Sequence, residues 1–148
     1  MPDPVYLLDT NIISDLVRRH AGRIRDCIAE RGEAQVRTSI IVAAELRFGA
    51  AKKDSERLTT QLETVLAALD ILPFDEPADR RYGEIRAALE RAGKPIGAND
   101  LLIAAHALSH GLTLVTANED EFRRVPGLVV ENWLSQGNPI NQPSDIKK

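Results

Sequence analysis

The stretch "VYLLDTNIISDL" (Val5–Leu16) decides the fold, because it places an acid between a continuous apolar run and a helix-like pattern. The run Val5–Leu8 predicts a short strand buried on both faces, as in a parallel sheet covered by helices. Asp9 ends this strand, and the apolar residues beyond it recur at helical spacing. In such sheets functional groups lie beyond the carboxyl ends of the strands, so Asp9 is a candidate for a site there.

The rest of the chain alternates in the same way between short apolar runs and amphipathic segments. Further strands are predicted within Ala34–Ser39, Asp70–Phe74, Leu112–Thr116 and Gly127–Trp133. Helices are predicted within Ile12–Arg19, Gly22–Glu30, Ile40–Lys53, Ser55–Leu69, Ala78–Leu89, Asn99–Gly111 and Asp120–Arg124. Strands that alternate with helices indicate an α/β three-layer sandwich, with a mostly parallel, five-stranded sheet and helices on both faces.

Composition limits the classes of protein to consider. The chain has a net charge of −3 and a single cysteine, Cys27. No apolar run approaches the roughly 20 residues of a membrane helix, and "MPDPVYLLDTN" lacks the basic start of a signal peptide. We therefore expect a cytoplasmic protein without an internal disulfide and without a membrane partner. Any nucleic-acid site must be a local basic patch, because the whole chain is slightly acidic.

The end of the chain differs in composition from the rest. Residues 1–134 carry all the predicted strands and helices, whereas the segment 135–148, "SQGNPINQPSDIKK", is polar and contains Pro and Gly. We therefore predict one domain over residues 1–134, followed by a mobile tail over residues 135–148.

Asp9 has a structural explanation as well as a functional one. An Asp between a strand and a helix is a common N-cap, which stabilises the helix by about 1 kcal/mol. Thr10 and Asn11 could each do the capping instead, which would leave Asp9 free to point into the crevice at the sheet edge.

Glu45 also lies in apolar sequence. On a helical wheel it shares a stripe with Ile41, Ala44 and Phe48, and such a stripe is expected to face the core. The structural alternative is an edge position, with the carboxylate paired to an arginine such as Arg47.

Asp100 lies in the first turn of the most apolar predicted helix. The partial positive charge of a helix N-terminus favours an anion there, and Asn99 is a suitable N-cap. Each acid thus has a structural explanation by itself, yet all three are expected near one end of the sheet. Packed carboxylates repel one another unless a proton or a cation compensates them.

The chemistry of this acid set favours a hard metal ion. Oxygen ligands without clusters of Cys or His suit Mg²⁺ or Mn²⁺, and these ions support the hydrolysis of phosphodiester bonds. The chain contains no P-loop, dinucleotide-binding or nucleophile-elbow motif, and His20, His106 and His110 have no zinc-site spacing.

Four ordered blocks of the sequence resemble those of PIN-domain proteins, and more narrowly VapC toxins of type II toxin–antitoxin systems and the related FitB group. The blocks are "LLDTNIISDL", "TSIIVAAELRFGA", "GKPIGANDLLIAAHALSHGLTLVTAN" and "EFRRVPGLVVENW", and they extend from about Val5 to Trp133. The resemblance implies a PIN-like sheet and a Mg²⁺-dependent endoribonuclease. It also implies structured RNA, such as transfer RNA, as substrate and products with a 5′-phosphate and a 3′-hydroxyl.

The same resemblance assigns expected roles to residues of this chain. Asp9, Glu45 and Asp100 correspond to the three acids that bind the metal and activate water. Family members often carry a fourth acid after the fourth strand, where this chain has Asn118, and Glu121 is a candidate substitute.

Further polar residues are candidates for supporting roles. Thr10, Asn11 and Thr116 would orient the acids, although each is equally explained as a helix cap or a strand-end hydroxyl. Arg47, two positions from Glu45, is a candidate for contact with RNA.

The resemblance also implies partners. These are a second copy of the chain, a cognate VapB-like antitoxin that binds DNA, and operator DNA contacted through that antitoxin. Helices within Ser55–Leu69 and Ala78–Ala92 are the candidate dimer surfaces. The alternative function is that of a non-catalytic, FitB-like regulatory partner of a DNA-binding antitoxin, in which the acids recognise basic side chains.

Overall fold

The sheet lies at the centre of the fold. A computed structural model describes residues 5–134. Its strands are β1 (Tyr6–Leu8), β2 (Val36–Ser39), β3 (Asp70–Leu72), β4 (Thr113–Val115) and β5 (Val130–Glu131). All pair in parallel in the order β3-β2-β1-β4-β5, which confirms the predicted five-stranded sheet. The predicted tail, 135–148, lies outside the described residues.

The helices occupy the segments that the sequence predicts. They are α1 (Thr10–Arg18), α2 (Arg23–Arg31), α3 (Ile40–Lys53), α4 (Glu56–Ala67), α5 (Ala78–Arg91), α6 (Ala98–Ser109) and α7 (Glu119–Phe122). Ser39 caps α3, because its hydroxyl oxygen accepts a hydrogen bond from the backbone N–H of Ile41 at 3.0 Å. This cap fixes the point at which β2 gives way to the helix that carries Glu45.

The order of the strands distributes the helices over two faces. From β1 to β3 the chain moves across the sheet in one direction, and from β3 it returns past β1 to β4 and β5. Because crossovers between parallel strands are right-handed, α1–α4 lie on one face and α5–α7 on the other. Packing of α1, α3 and α4 together, and of α5 with α6, agrees with this arrangement. The direction reverses between β1 and β4, so their carboxyl ends form the switch point of the sheet.

Apolar burial holds the layers together. Leu7 and Leu8 of the central strand are fully buried, and so are the side chains of Phe122 and Trp133 near the other end of the described segment. Cys27 is buried as well. Within residues 5–134 no helix is long and apolar enough to cross a membrane.

Helix α3 is rotated relative to the expected orientation. Its buried residues are Val42, Ala43, Leu46 and Ala50, whereas Phe48 is 67% exposed. The prediction that Ile41, Ala44 and Phe48 form the core stripe with Glu45 is therefore wrong. Apolar residues lie on more than one side of this helix, so the sequence periodicity does not fix which side packs on the sheet. Glu45 consequently lies at the edge of the buried stripe, half-buried.

Candidate active site

Asp9 lies at the carboxyl end of β1 and is only 3% exposed. Its Oδ1 accepts the backbone N–H of Thr10 at 2.7 Å, and Asp9 is the N-cap of α1. Its Oδ2 accepts the Thr116 hydroxyl, which follows β4, also at 2.7 Å. The expectation that Thr10 or Asn11 would cap α1 in its place is wrong, because Asn11 Oδ1 accepts the backbone N–H of Ala117 at 2.9 Å. The Thr10 side chain does not cap α1 either, because its hydroxyl donates to Glu45.

Glu45 receives two hydrogen bonds from residues far away in sequence. The Thr10 hydroxyl donates to Glu45 Oε1 at 2.6 Å, and the side-chain amide of Asn99 donates to Oε2 at 2.8 Å. The alternative of an ion pair with Arg47 is wrong, since Arg47 forms a bidentate pair with Glu63 of α4 at 2.9 and 3.0 Å. Glu45 is thus oriented by α1 and α6 together.

Asp100 lies in the first turn of α6, which begins at Ala98 after an extended Gly97. Asn99 is therefore not the N-cap, because the helix starts earlier and the amide is used for Glu45. The amide of Asn118 lies 3.5 Å from Asp100 Oδ2 and donates to Glu121 Oε1 at 2.7 Å.

Glu121 joins the segment after β4 to the start of α6. Its Oε2 accepts the backbone N–H of Gly97 at 2.8 Å, and its Oε1 accepts the amide of Asn118. Both of the residues predicted as candidates for a fourth position therefore lie beside Asp100, with the Asn118 amide facing two carboxylates.

The electrostatics of the site show an excess of negative charge. Burial, followed by the charges of Glu121, Asp9 and Glu45, raises the pKa of Asp100 to about 7. Burial also raises the pKa of Asp9, against the opposing effect of the Thr116 hydroxyl. The backbone N–H of Gly97 holds the pKa of Glu121 below its usual value. Asp100 therefore holds its proton to a much higher pH than an ordinary aspartate, and this proton reduces the repulsion within the site.

The donor set and the charge fit a hard divalent cation. Carboxylate oxygens converge here on one end of the sheet, and a cation would relieve the same repulsion that the proton on Asp100 relieves. As the side chains stand within residues 5–134, no three His, Cys, Asp or Glu residues are close enough to form a ready ligand set. The site therefore fits a divalent cation by its charge and by the type of its donor atoms.

Comparisons with known proteins identify the family. The model of the PIN domain matches residues 6–128. Ribonuclease VapC2 of Rickettsia felis is 40% identical over 133 residues, which cover 87% of this chain and 98% of the relative. The chain belongs to the PIN-domain family, among the VapC ribonucleases.

Other VapC relatives and solved structures agree. The tRNA(fMet)-specific endonuclease VapC of Shigella flexneri is 36% identical over 129 residues, covering 86% of this chain and 97% of the relative. The structure of VapBC2 from Rickettsia felis bound to a promoter DNA fragment matches with a TM-score of 0.79 and 39% identity, over 87% of this chain and 98% of that one. FitAcB from Neisseria gonorrhoeae matches with a TM-score of 0.77 and 33% identity, over 89% and 100%.

Sequence reasoning predicted most of the residues that lie in this candidate site but missed two of them. Asp9, Glu45 and Asp100 lie at the same end of the sheet, where the charges of Asp9 and Glu45 act on Asp100. Thr10 contacts Asp9 and Glu45, and Thr116 contacts Asp9, whereas Asn11 binds the backbone of Ala117. Asn99 was predicted as a cap and in fact binds Glu45. Gly97, whose N–H binds Glu121, gave no signal beyond its place before the helix.

Proposed function

We propose that this VapC ribonuclease is a Mg²⁺-dependent endoribonuclease, also active with Mn²⁺, in which Asp9, Glu45 and Asp100 hold the metal. The observation that carries the proposal is the position of these carboxylates around the switch point of the sheet, where burial, and after it the charges of Glu121, Asp9 and Glu45, raise the pKa of Asp100 to about 7. A site with this much uncompensated charge favours a divalent cation, and family membership makes phosphodiester hydrolysis of RNA the corresponding chemistry.

Each acid has its own supporting contacts. A bound divalent cation supplies acidification of the attacking water and neutralises charge on the scissile phosphate. Asp9 is held rigidly by the Thr10 N–H and the Thr116 hydroxyl, so its carboxylate has one orientation. Glu45, held by Thr10 and Asn99, orients the water for in-line attack. Asp100 must lose its proton before it can serve as a ligand. Glu121 adds negative charge beside it, and the Asn118 amide donates to Glu121 and faces Asp100.

The partners follow from the relatives. We propose a VapB-like antitoxin that covers the site and carries the complex to operator DNA, and structured RNA such as transfer RNA as substrate. We further propose that two copies pair through the outer surfaces of α4 and α5. The expected location is the cytoplasm, where the RNA substrate is found.

The test is cleavage of total RNA and a panel of transfer RNAs by protein purified without antitoxin. Parallel reactions contain Mg²⁺, Mn²⁺ or EDTA. The variants are Asp9→Asn, Glu45→Gln and Asp100→Asn, and the control is Asp120→Asn, an exposed acid in the same turn as Glu121. Asn remains a good N-cap at position 9, so Asp9→Asn is expected to fold.

We expect discrete cuts that are lost with EDTA and in the three site variants but kept in Asp120→Asn. Cleavage that persists with EDTA or in all three variants would overturn the metal-site assignment. No cleavage of any RNA by folded protein that still binds its antitoxin would favour the FitB-like regulatory function.

A further inference from the structure

A groove with an apolar floor extends from the acidic site between α1, α3 and α4. It has a volume of about 230 Å³. Its lining residues are Thr10, Ser14, Val17, Arg18, Glu45, Leu46, Gly49, Ala50, Lys53, Leu58 and Leu62. The Thr10–Glu45 hydrogen bond, at 2.6 Å, closes one end and is at the same time a wall of the carboxylate site.

The opposite end of the groove is cationic. Arg18 lies at the end of α1 and Lys53 at the end of α3, each eight residues beyond the Thr10–Glu45 contact. At 1.5 Å per residue this separation corresponds to about 12 Å of helix. Arg18 makes only a long ion pair with Asp15, at 3.7 Å, and Lys53 has no ion pair among residues 5–134.

Charge distinguishes these two cations from Arg47, which the sequence suggested for contact with RNA, and from Arg123. Arg47 is neutralised by Glu63, and Arg123 by Glu119, each at 2.9 Å. The dipoles of α1 and α3 favour a cation at each helix end, but Arg19 and Lys52 meet that need equally. What separates Arg18 and Lys53 is that they border the apolar groove.

We propose that this groove is a nucleotide subsite, in which the base next to the scissile phosphate lies on the apolar floor and its distal phosphate contacts Arg18 and Lys53. The proposal rests on the proposed function, because it is the cleaved phosphodiester at the Thr10–Glu45 end that places the neighbouring nucleotide in the groove. The volume is below the roughly 300–1,000 Å³ of a site for a drug-sized ligand and suits a single ring system.

Gly49 provides a direct test. It lies in the interior of α3 on the groove, and a Cβ built there meets nothing within 4 Å. Gly49→Leu would therefore fill the groove without a clash of its Cβ, and it removes a helix-destabilising glycine. Ala29 is the control, since it is an exposed residue in the interior of α2 that does not line the groove and does not lie on the proposed dimer surface.

We expect Gly49→Leu to raise KM for RNA cleavage by about tenfold or more, because the leucine fills space that the base would occupy and even one extra methylene in an apolar pocket discriminates by about 10-fold or more. Ala29→Leu should leave KM unchanged, and both variants should melt no lower than about the parent. Lys53→Gln should reduce the slope of log affinity against log salt by about 0.7, as for one lost phosphate contact. Lys52→Gln, one residue away and outside the groove, should leave the slope unchanged.

RNA binding measured in EDTA tests the nucleotide subsite independently of the nuclease activity. The probe is a short, mixed-sequence oligoribonucleotide with a fluorescent label, followed by anisotropy at low salt. Wild-type binding that Gly49→Leu weakens would support the subsite even in a protein that cleaves nothing. The proposal would be overturned if Gly49→Leu had the same KM and the same probe affinity as the wild-type protein. Loss of antitoxin binding in Gly49→Leu with unchanged RNA binding would also overturn it, because the groove would then belong to the protein partner.

Discussion

The hydroxyl of Thr10, the first residue of α1, donates to Glu45 in the middle of α3 at 2.6 Å. This single bond joins two helices that follow different strands, and it fixes the orientation of one carboxylate relative to Asp9. The backbone N–H of the same threonine binds Asp9 Oδ1, so one residue orients two of the three acids.

We expect Thr10→Val to lower kcat/KM for RNA by roughly 10- to 100-fold, the usual cost of removing a group that orients a metal ligand. The backbone bond to Asp9 survives this change, whereas the bond to Glu45 is lost. Isothermal titration with Mn²⁺ should show weaker binding by a similar factor. Thr10→Ser keeps the hydroxyl and should restore both values, and equal values for the Val and wild-type proteins would contradict the role given to this bond.

Metal binding should stabilise the folded protein. At a free Mn²⁺ concentration of 100 times Kd, linkage predicts about 2.7 kcal/mol, which is roughly 5 °C or more in Tm for a domain of this size. The shift should disappear with excess EDTA and be strongly reduced in Asp9→Asn and Asp100→Asn. Scanning calorimetry of Asp120→Asn provides the control, and an undiminished shift in both site variants would place the ion elsewhere.

The raised pKa of Asp100 predicts a pH dependence of the metal-free protein. Its ordinary value is 3.8 and its folded value about 7, so the folded state binds more protons than the unfolded state between these limits. The contribution to stability is therefore fully present below about pH 4 and is lost as the pH rises through about 7. Urea unfolding in EDTA should show this loss in the wild type, and Asp100→Asn should be less sensitive. An identical pH profile for the two proteins would refute the assignment.

The pH dependence of stability that comes from His106 should have the opposite sign to that of Asp100. It is fully buried, and its Nε2 lies 3.0 Å from the Pro73 carbonyl, which can only accept, so Nε2 carries the proton. Its Nδ1 then accepts the Ser39 hydroxyl at 2.8 Å. Burial lowers the pKa of His106, so its contribution to stability is present above the unfolded value of about 6.5 and is lost as the pH falls below it.

We expect His106→Gln to lower the free energy of unfolding at pH 8 by about 1–3 kcal/mol, because a buried hydrogen-bond partner is removed. The difference from wild type should shrink as the pH falls from 7 to 5, since the wild type alone loses stability there by this route. His20→Gln, at an exposed position, is the control. A difference that stays constant from pH 8 to pH 5 would exclude a titrating role for His106.

The sequence predicted the order of strands and helices because short apolar runs and amphipathic periods are local signals. It also placed Asp9, Glu45 and Asp100 at one end of the sheet, which follows from the architecture and from the resemblance to PIN domains. Their role as a metal-ligand set stays a prediction, since no three acids among residues 5–134 lie close enough together to form one. It did not predict the rotation of α3, because its apolar residues, Phe48 among them, allow more than one buried face. Contacts such as Asn99 with Glu45 join residues far apart in sequence, and no local pattern specifies them.

The switch-point position of the site has a consequence for how the chain becomes active during its synthesis. The acids and their donors come from the ends of β1 and β4 and from α3, α6 and α7, so the site spans the chain from Asp9 to Glu121. A ribosome that has not yet released β4 holds a chain in which Thr116 cannot reach Asp9. Nascent chains arrested before that point should cleave no RNA, which would protect the translation machinery from the nuclease while it is being made.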